Sequence, residues 1–474
     1  MSAVLAFDFG ASSGRAIKTF FSKGALRCEE VHRFANVPVE KDGTLHWDFE
    51  KLVEEIHAGI EKAGAFDSLA FDTWGVDFGL LGKDGALIDL PVHYRDKRTS
   101  GILEKAASVM PLEELYRETG NQILELNTLF QLFSICRMPL FQKAARLLFM
   151  PDLFAHALGA QSACEYTIAS TSQMFNISKR AWSAATLDAF AIPHALFAPF
   201  VESGTAIGTH NGAKIVAAAH DTQCAIAAMP CTQDAEHAAF LSCGTWSLLG
   251  MELDAPVLSA ESFHAGLSNE LGANGKINYL KNIIGLWLIQ ECRGAWAQQG
   301  HAHSFDELEN LANHSMPLRC FIDVDDAQFV SPGDIPEKII NYCKKTNQHV
   351  PQSVGEIMRC IYESLALKYR VAVKQLENLT GKKIAVIHML GGGARDVTLC
   401  KFTADCCNVP VVAGPIEAAA LGNSIIQLVA LGEIAAIDEG RRIIAGTEMI
   451  KRFSPVHSEA WENAWELYCS LFCK

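Results

Sequence analysis

Three short stretches bring together residues that could do chemistry. "FDFGASSGR" (7–15) sets an acid, a run of Gly and Ser, and an arginine behind the apolar run Val4-Leu5-Ala6. "LSCGTWSLLG" (241–250) repeats its small, hydroxyl-rich centre with Gly244, Thr245 and Ser247. "VAAAHDTQCAIAAM" (216–229) places His220, Asp221 and Thr222 in an otherwise apolar run. Small residues let backbone N–H groups close on an anion, Ser12 and Ser13 can donate, and Arg15 adds a charge-assisted contact. Asp8 can hold Mg²⁺ directly or through water. Asp221 can accept a hydroxyl proton, as phosphoryl transfer to an alcohol requires. In "LGGGARD" (390–396), Gly391, Gly392 and Gly393 leave a bare main chain on which a nucleobase or ribose can lie.

Other chemistries use fewer of these residues. The first stretch also spells G-x-S-x-G, but a serine nucleophile elbow needs a strand before it and a helix after it. Here "RAIKTFF" (15–21) reads as strand. An ordinary hairpin turn explains Gly and Ser but leaves Asp8, at the end of an apolar strand, without a partner or cation. A Walker loop is absent: Gly275-Lys276 has Glu270 where the first Gly belongs and Ile277 where Ser or Thr belongs. "FDTWGVDFGLL" (71–81) adds Asp72, Trp74, Gly75 and Asp77. Trp74 can stack on a sugar or pack in the core, and Gly75 lets the chain approach a ligand. His220 can equally be a packing histidine, so substrate contact, not catalysis, is expected of it. Asp221 can also N-cap a helix over "TQCAIAAM".

The elements that must position these residues are legible around them. "VLAFDF" (4–9) reads as a strand, "GASSG" as a turn, 15–21 as the returning strand, with a third near Val31. A helix is expected over 48–64, with Asp48 as N-cap, Leu52, Val53, Ile56 and Ile60 as its stripe, and Gly64 near its end. Residues 67–81 read as one strand ending in a polar turn. The pattern restarts with strands at 238–244 and 246–253. A long helix follows over 353–381, between a Ser353/Glu356 capping-box spacing and Gly381, and then a strand at 383–393 runs into the three glycines. This is a divergent duplication at the level of structure. The boundary is expected at "MPCTQDAEH" (229–237).

At 474 residues two domains are expected. A net charge of −14 argues against a surface built for nucleic acid or anionic membrane. It does not argue against a phosphate held by local N–H groups. The fifteen cysteines are scattered without a C-x-x-C, as expected of reduced thiols in a cytoplasmic protein. Asp8 interrupts the only N-terminal apolar run, so no signal peptide is expected, and no apolar run is long enough for a membrane span.

Together these stretches resemble the FGGY family of carbohydrate kinases. The resemblance runs over nearly the whole chain: "FDFGASSGR", "HRF" (32–34), "HWD" (46–48), "FDTWGVDFGLL", "YRDKRT" (94–99), "MPDLF" (150–154), "EYTIASTSQ" (165–173), "HDT" (220–222), "SCGTWSLLG", "KNIIGLWLIQ" (281–290), "LGGGARD" and "AGPIEAAALGN" (413–423). It implies an α/β protein of the two-domain actin/hexokinase/Hsp70-like (ribonuclease H-like) fold, with duplicated mixed sheets flanked by helices and an active site in the interdomain cleft. The domains would be 1–230, with the sugar site and first phosphate hairpin, and 236–474, with the second hairpin and adenine site. The activity implied is ATP-dependent, Mg²⁺-assisted phosphorylation of a ketose. The members it most resembles act on L-rhamnulose at O1; L-fuculose, L-ribulose and D-xylulose are sibling substrates.

Residue by residue, the resemblance implies that Ala11, Ser12, Ser13, Gly14 and Arg15 line the ATP phosphates and Asp8 lies near the metal. Gly75, His220, Asp221 and Thr222 would bind the ketose, with Asp221 as base, Asn282 as a further contact and Trp74 beside Gly75. Thr245, Gln290 and Gly392 would bind ATP, with Gly391 and Gly393 in the same run. Without the resemblance, Asn282 and Gln290 read as polar positions on a helix "NIIGLWLIQ", and Lys281 lies close by. Two departures stand out. Arg395-Asp396 replace a usual Gln-Asn pair, and Cys243 replaces a usual Ser, which would make the surroundings of Thr245 oxidisable. A nucleotide or sugar sensor on the same fold would lack the base or the metal acid, and both Asp8 and Asp221 are present. The expected partners are the ketose and ATP, with no nucleic acid and no membrane; self-assembly into a homo-oligomer is left open.

Overall fold

The computed structural model describes residues 1–231, 235–331, 333–447 and 450–473. The chain forms two compact units. The first comprises Met1–Ala228, Glu252–Tyr279 and Ala418–Gly446; the second comprises Met229–Met251, Leu280–Glu417 and Thr447–Lys474. Two late segments thus return to the first unit. Of the linker expected at 229–237, residues 232–234 lie outside the described residues.

The first unit opens with β1 (Ser2–Phe9), β2 (Ser13–Ser22) and β3 (Ala25–Ala35). After α1 (Phe49–Ala63) come β4 (Ser68–Thr73), a short α2 (Tyr166–Ala169), β5 (Ala206–His210), β6 (Ala213–Ala217) and α3 (Asp221–Ala227). The sheet order is β5-β6-β4-β1-β2-β3. Central β1 is buried from Val4 to Phe9, which is why it reads as a continuous apolar run. It pairs antiparallel with β2 and parallel with β4. These two registers set Asp8 opposite Arg15 on one side and beside Asp72 on the other. Helix α1 starts where Asp48 accepts from Lys51 N and stops at Gly64, φ 63°. The helix Ala418–Leu431 turns its few polar residues onto this sheet: Ser424 bonds Thr19, Gln427 bonds Ser68, and Asn423 bonds Asp72.

The second unit repeats the opening. Hairpin β7 (Ala238–Cys243) and β8 (Trp246–Leu253) is followed by β9 (Ile277–Ile284), α4 (Trp287–Gln298), α5 (Val354–Thr380), β10 (Val386–Leu390), α6 (Val397–Cys407), β11 (Val411–Ala413) and β12 (Lys451–Phe453). Its strands run in the order β9-β8-β7-β10-β11-β12. Helix α5 carries the expected signals: Ser353 accepts from Glu356 N, and Gly381 ends it in the left-handed region. The boundary between the units falls inside β8 and again inside β9.

Three local expectations are corrected. Residues 67–81 are two strands, β4 and Phe78–Leu81, which pairs separately with Arg146–Phe149. The left-handed Val76 (φ 66°) turns the chain between them. His220, not Asp221, is the N-cap of α3; Asp221 is its first residue. Asn282 lies on β9, because Gly285 ends the strand before α4 begins at Trp287.

Candidate active site

The hairpin expected to hold phosphate turns at residues 10–12. Gly10 N donates to Ser13 O (2.9 Å), and Asn36 clamps the turn by donating from its backbone to Ser12 O (3.0 Å) and from its side chain to Gly10 O (2.9 Å). Ser12 is exposed, while Ala11 and Ser13 are half-buried. The chain then enters β2, not a helix, so the nucleophile-elbow alternative fails. A Cβ on Gly14 would lie 2.2 Å from the tip of the Phe34 ring, so a side chain there must displace that ring. Arg15 places Nε (3.0 Å) and Nη2 (2.7 Å) on one oxygen of Asp8. The expected phosphate-binding arginine is thus also the counter-ion of the expected metal acid.

Behind Asp8 lies Asp72, fully buried. Burial first, then the Asp8 charge, hold its carboxyl well above the usual range, against the Asn423 hydrogen bond (2.7 Å). Its Oδ1 has no hydrogen-bond partner.

Asp221 opens α3 with 31% of its side chain exposed. It lies against crowding protein atoms, and burial with the Asp8 charge pushes it up to about 7. Thr222 donates to its Oδ1 from the backbone and from the hydroxyl (3.2 Å). His220 is buried, and that burial pushes it down to about 3, so it is neutral; its Nδ1 has no partner. Beneath α3, Gln223 donates to Glu270 (3.0 Å) and accepts from Asn278. Burial pushes Glu270 up to about 7.

Gly75 is half-buried at the turn after β4, with the Thr171 hydroxyl 3.1 Å from where a Cβ would stand. Trp74 is 7% exposed, tilted against Trp47 at 4.0 Å between ring centroids. Its N–H donates to Asp77 (3.0 Å), so its indole is mostly held within the core. Asp77 also accepts from Trp47 Nε1 (2.6 Å), Tyr94 N (3.0 Å) and Gln131 Nε2 (2.9 Å). Burial pushes this carboxyl up to about 6, leaving it mostly ionised at neutral pH. Four donors face it, and three share one oxygen. Asp77→Asn turns an amide N–H toward donors on one side, and a hydrogen bond to a charged group is worth about 1.5–3 kcal/mol. We expect a loss of about 2–3 kcal/mol in urea unfolding, with a shifted tryptophan emission.

In the second unit, the β7–β8 turn holds the start of α4: Leu286 N donates to Gly244 O (2.9 Å) and Trp287 N to Thr245 O (3.2 Å). Thr245 is half-buried. Ser247, offered above as a further phosphate donor, is fully buried and bonds Tyr369 OH (2.7 Å), so it faces the core. Cys243 is 1% exposed and burial pushes its thiol up to about 11. It is a protonated core thiol, and the expected oxidisable neighbourhood is corrected.

The triple glycine folds around Cys243. Gly391 is left-handed (φ 79°), and a Cβ on Gly393 would lie 2.3 Å from Cys243 Sγ. The two departures after it have local roles. Arg395 pairs with Glu417 (3.1 Å), and Asp396 caps α6 through Leu399 N (2.8 Å). Gln290 is half-buried on α4 and Asn282 half-buried on β9. Beside it Lys281 donates to Gln375 (3.1 Å), and burial with the Lys368 charge pushes it down to about 8.

The first unit therefore gathers Asp8, Arg15 and Asp221 with Asp72, and the second sets Gly391, Gly392 and Gly393 against Cys243, two residues before Thr245. Sequence reasoning noticed Asp72 but gave it no role, and it met Glu270 only as a residue out of place in a Walker loop. The register of Asp72 with Asp8 was readable only once β1 and β4 were known to pair. Among the described residues, the group of three metal-binding side chains that converge is Cys320, Cys343 and Cys360, all buried in the second unit. A closed structural zinc site takes four ligands, one more than this group supplies.

Two family models match the chain: "FGGY family of carbohydrate kinases, N-terminal domain" over residues 3–240, and "FGGY family of carbohydrate kinases, C-terminal domain" over 239–431. Rhamnulokinase from Bacteroides thetaiotaomicron is 40% identical over 97% of each chain. Rhamnulokinase from Enterococcus faecalis is 40% identical over 93% of this chain and 92% of that protein. Among solved structures, a ligand-bound xylulose kinase from Lactobacillus acidophilus superposes with a TM-score of 0.78 at 14% identity, covering 99% of this chain and 97% of that one. Plasmodium falciparum glycerol kinase with ADP also gives 0.78, at 12% identity and 99% and 98% coverage. At such identities the structural likeness establishes the fold, which is the actin/hexokinase-like α/β fold of these kinases.

Proposed function

We propose that this chain, which belongs to the FGGY family of carbohydrate kinases, transfers the γ-phosphoryl group of ATP to O1 of L-rhamnulose. The mechanism rests on one observation: Asp221 is a partly open carboxylate, at the start of a helix, pushed up to about 7. A general base works best when its pKa lies near the operating pH. As O1 attacks the γ-phosphorus, its proton passes to an Asp221 carboxylate oxygen, and ADP leaves with the bridging electron pair. Thr222 holds the carboxylate in place, and neutral His220 and the bare chain at Gly75 contact the sugar. Ala11 to Arg15, Thr245, Gln290 and Gly391 to Gly393 are assigned to ATP, and Asn282 to the ketose.

The residues suit a magnesium ion. Asp8 is our assigned ligand, and Asp72, its neighbour in strand register, has a buried Oδ1 left without a hydrogen-bond partner. Mg²⁺ needs only one or two carboxylates because it keeps most of its water. When bound, it neutralises charge on the phosphates. Along the sequence we keep the division into halves at 1–230 and 236–474, supported by family models that meet at 239–240, with 252–279 and 418–446 packing back into the first unit. Cytoplasmic residence is supported by fifteen cysteines all present as free thiols. Among the described residues no helix is long and apolar enough to cross a membrane.

The sugar rests on the near-full-length similarity to rhamnulokinases. The test is ADP release with Mg·ATP across L-rhamnulose, L-fuculose, L-ribulose, D-xylulose and glycerol. We expect L-rhamnulose to give the highest kcat/KM. Preference for another ketose moves the assignment to that sugar, and ATP binding without turnover of any sugar favours the sensor reading.

A further inference from the structure

Both sugar-contacting loops hang from one short segment. Glu165, 1% exposed, caps α2: its Oε2 accepts from Thr167 N (2.8 Å), Ile168 N (3.1 Å) and the Thr167 hydroxyl (2.6 Å), and its Oε1 accepts from the Ser203 hydroxyl (2.6 Å). Because Thr167 gives its proton to Glu165, its oxygen lone pairs are left for a donor. That donor is His220 N (2.9 Å), the N-cap of the helix that begins with Asp221. His220 O in turn accepts from Cys224 N (2.9 Å) in the first turn of α3.

One turn later on the same segment, the Thr171 hydroxyl donates to Ile168 O (2.8 Å) and accepts from Val76 N (3.3 Å). Val76 is the β-branched residue held at φ 66°, next to Gly75. Its carbonyl is fixed from the other side by the Thr128 hydroxyl (2.7 Å). A strained conformation of this kind persists only where its surroundings over-determine it. The 165–171 segment therefore grips the backbone of both loops, one by Thr167 and the other by Thr171, both of them buried.

We propose that Thr167, oriented by Glu165, is a positioning residue for the phosphoryl transfer: it fixes the His220 peptide and so aims the Asp221 carboxylate at O1, while Thr171 sets the Gly75–Val76 wall against the same sugar. The inference rests on the assignment of Asp221 as base. It adds residues that touch neither substrate. A misplacement of about 1 Å at a reacting group can cost on the order of 100-fold in rate, and the Thr167 hydroxyl holds the N–H of this peptide while the Cys224 thiol holds its carbonyl at Ala219 O (3.2 Å).

The test compares Thr167→Val, which keeps shape and loses the hydroxyl, with Thr167→Ser, which restores it. For Thr167→Val we expect kcat with L-rhamnulose to fall roughly 10- to 100-fold. ATP affinity should stay within about twofold, and Thr167→Ser should recover most of the rate. Amide hydrogen exchange, read in the same variants without substrate, should rise at His220 in Thr167→Val and return in Thr167→Ser. Wild-type kcat with unchanged exchange at His220 overturns the proposal. So does a loss of rate that Thr167→Ser does not recover, or one that accompanies loss of cooperative unfolding. If the kinase reading itself fails, the wild type turns over no ketose, and the exchange experiment still reports whether Thr167 holds His220.

Discussion

Asp221→Asn lowers kcat by about 10²–10⁴-fold, the range supplied by a positioned general base, and leaves ATP binding nearly unchanged. The amide keeps the size of the carboxylate and can still accept from Thr222, so the start of α3 stays in place. What it cannot do is take a proton. The wild-type rate should carry the signature of that group. Asp221 must be ionised to act, and its carboxyl sits at about 7 while the Asp8 charge is uncompensated; Mg²⁺ at Asp8 would lower it, so kcat/KM should fall tenfold per pH unit below a midpoint under about 7 and level off above it. The residual rate of the variant should be flat over the same range. Stability should move the opposite way. The folded pKa is raised above the ordinary carboxylate value, so this group's contribution is fully present below about 4 and is lost as pH rises through about 7. With 31% of the side chain open to water, the effect is discounted to about 1–2 kcal/mol. The variant should therefore be somewhat more stable than the wild type at pH 8 and no more stable at pH 4. Steady-state kinetics and urea melts at the two pH values read both. A variant that turned over at the wild-type rate would remove Asp221 from the chemistry.

Gly422→Ala should be the most damaging single-methyl change in the first unit. A Cβ at Gly422 would stand 1.7 Å from the carbonyl oxygen of Cys224 and 2.5 Å from its carbon. The obstacle is backbone, so no rotamer relieves it. The helix Ala418–Leu431 must back away from α3, opening the packed cluster of Ala70, Val216, Ala218, Ala219, Cys224, Ala227 and Ile426. Overpacking costs about 1–3 kcal/mol in most cores and more where backbone must move, so we expect about 3 kcal/mol or more. The retreat also pulls on the Asn423 bond to Asp72 and tilts the helix that begins with Asp221. Activity should fall along with stability, by about 10-fold or more. Truncating Cys224 should not rescue the variant, because its side chain is not what is struck. An unfolding midpoint equal to the wild type would show that the two helices can separate without cost.

The sequence by itself determined the parts whose signals lie within a few residues of each other. Hairpins 1–22 and 238–253 follow from apolar runs broken by Gly and hydroxyl residues. Helices α1 and α5 follow from Asp48, Ser353, Gly64 and Gly381, because a cap satisfies backbone groups within one turn of itself. The resemblance carried the family and the reaction class, since long matching runs are specific where single glycines are not. Only the tertiary structure decided what depends on residues far apart. Asp72 meets Asp8 through strand register and Asn423 from 351 positions away. Ser247 and Trp74 look like ligand-facing residues in the sequence, but the one turns to Tyr369 and the other to Trp47 and Asp77. Arg15 reads as a phosphate ligand alone until its strand shows that it also pairs with Asp8. Gly422 carries no local turn signal and is needed because another helix passes over it. Burial, pairing and close approach are set by which elements pack together, and that packing shifted Asp221 from an ordinary acid to one poised near neutrality.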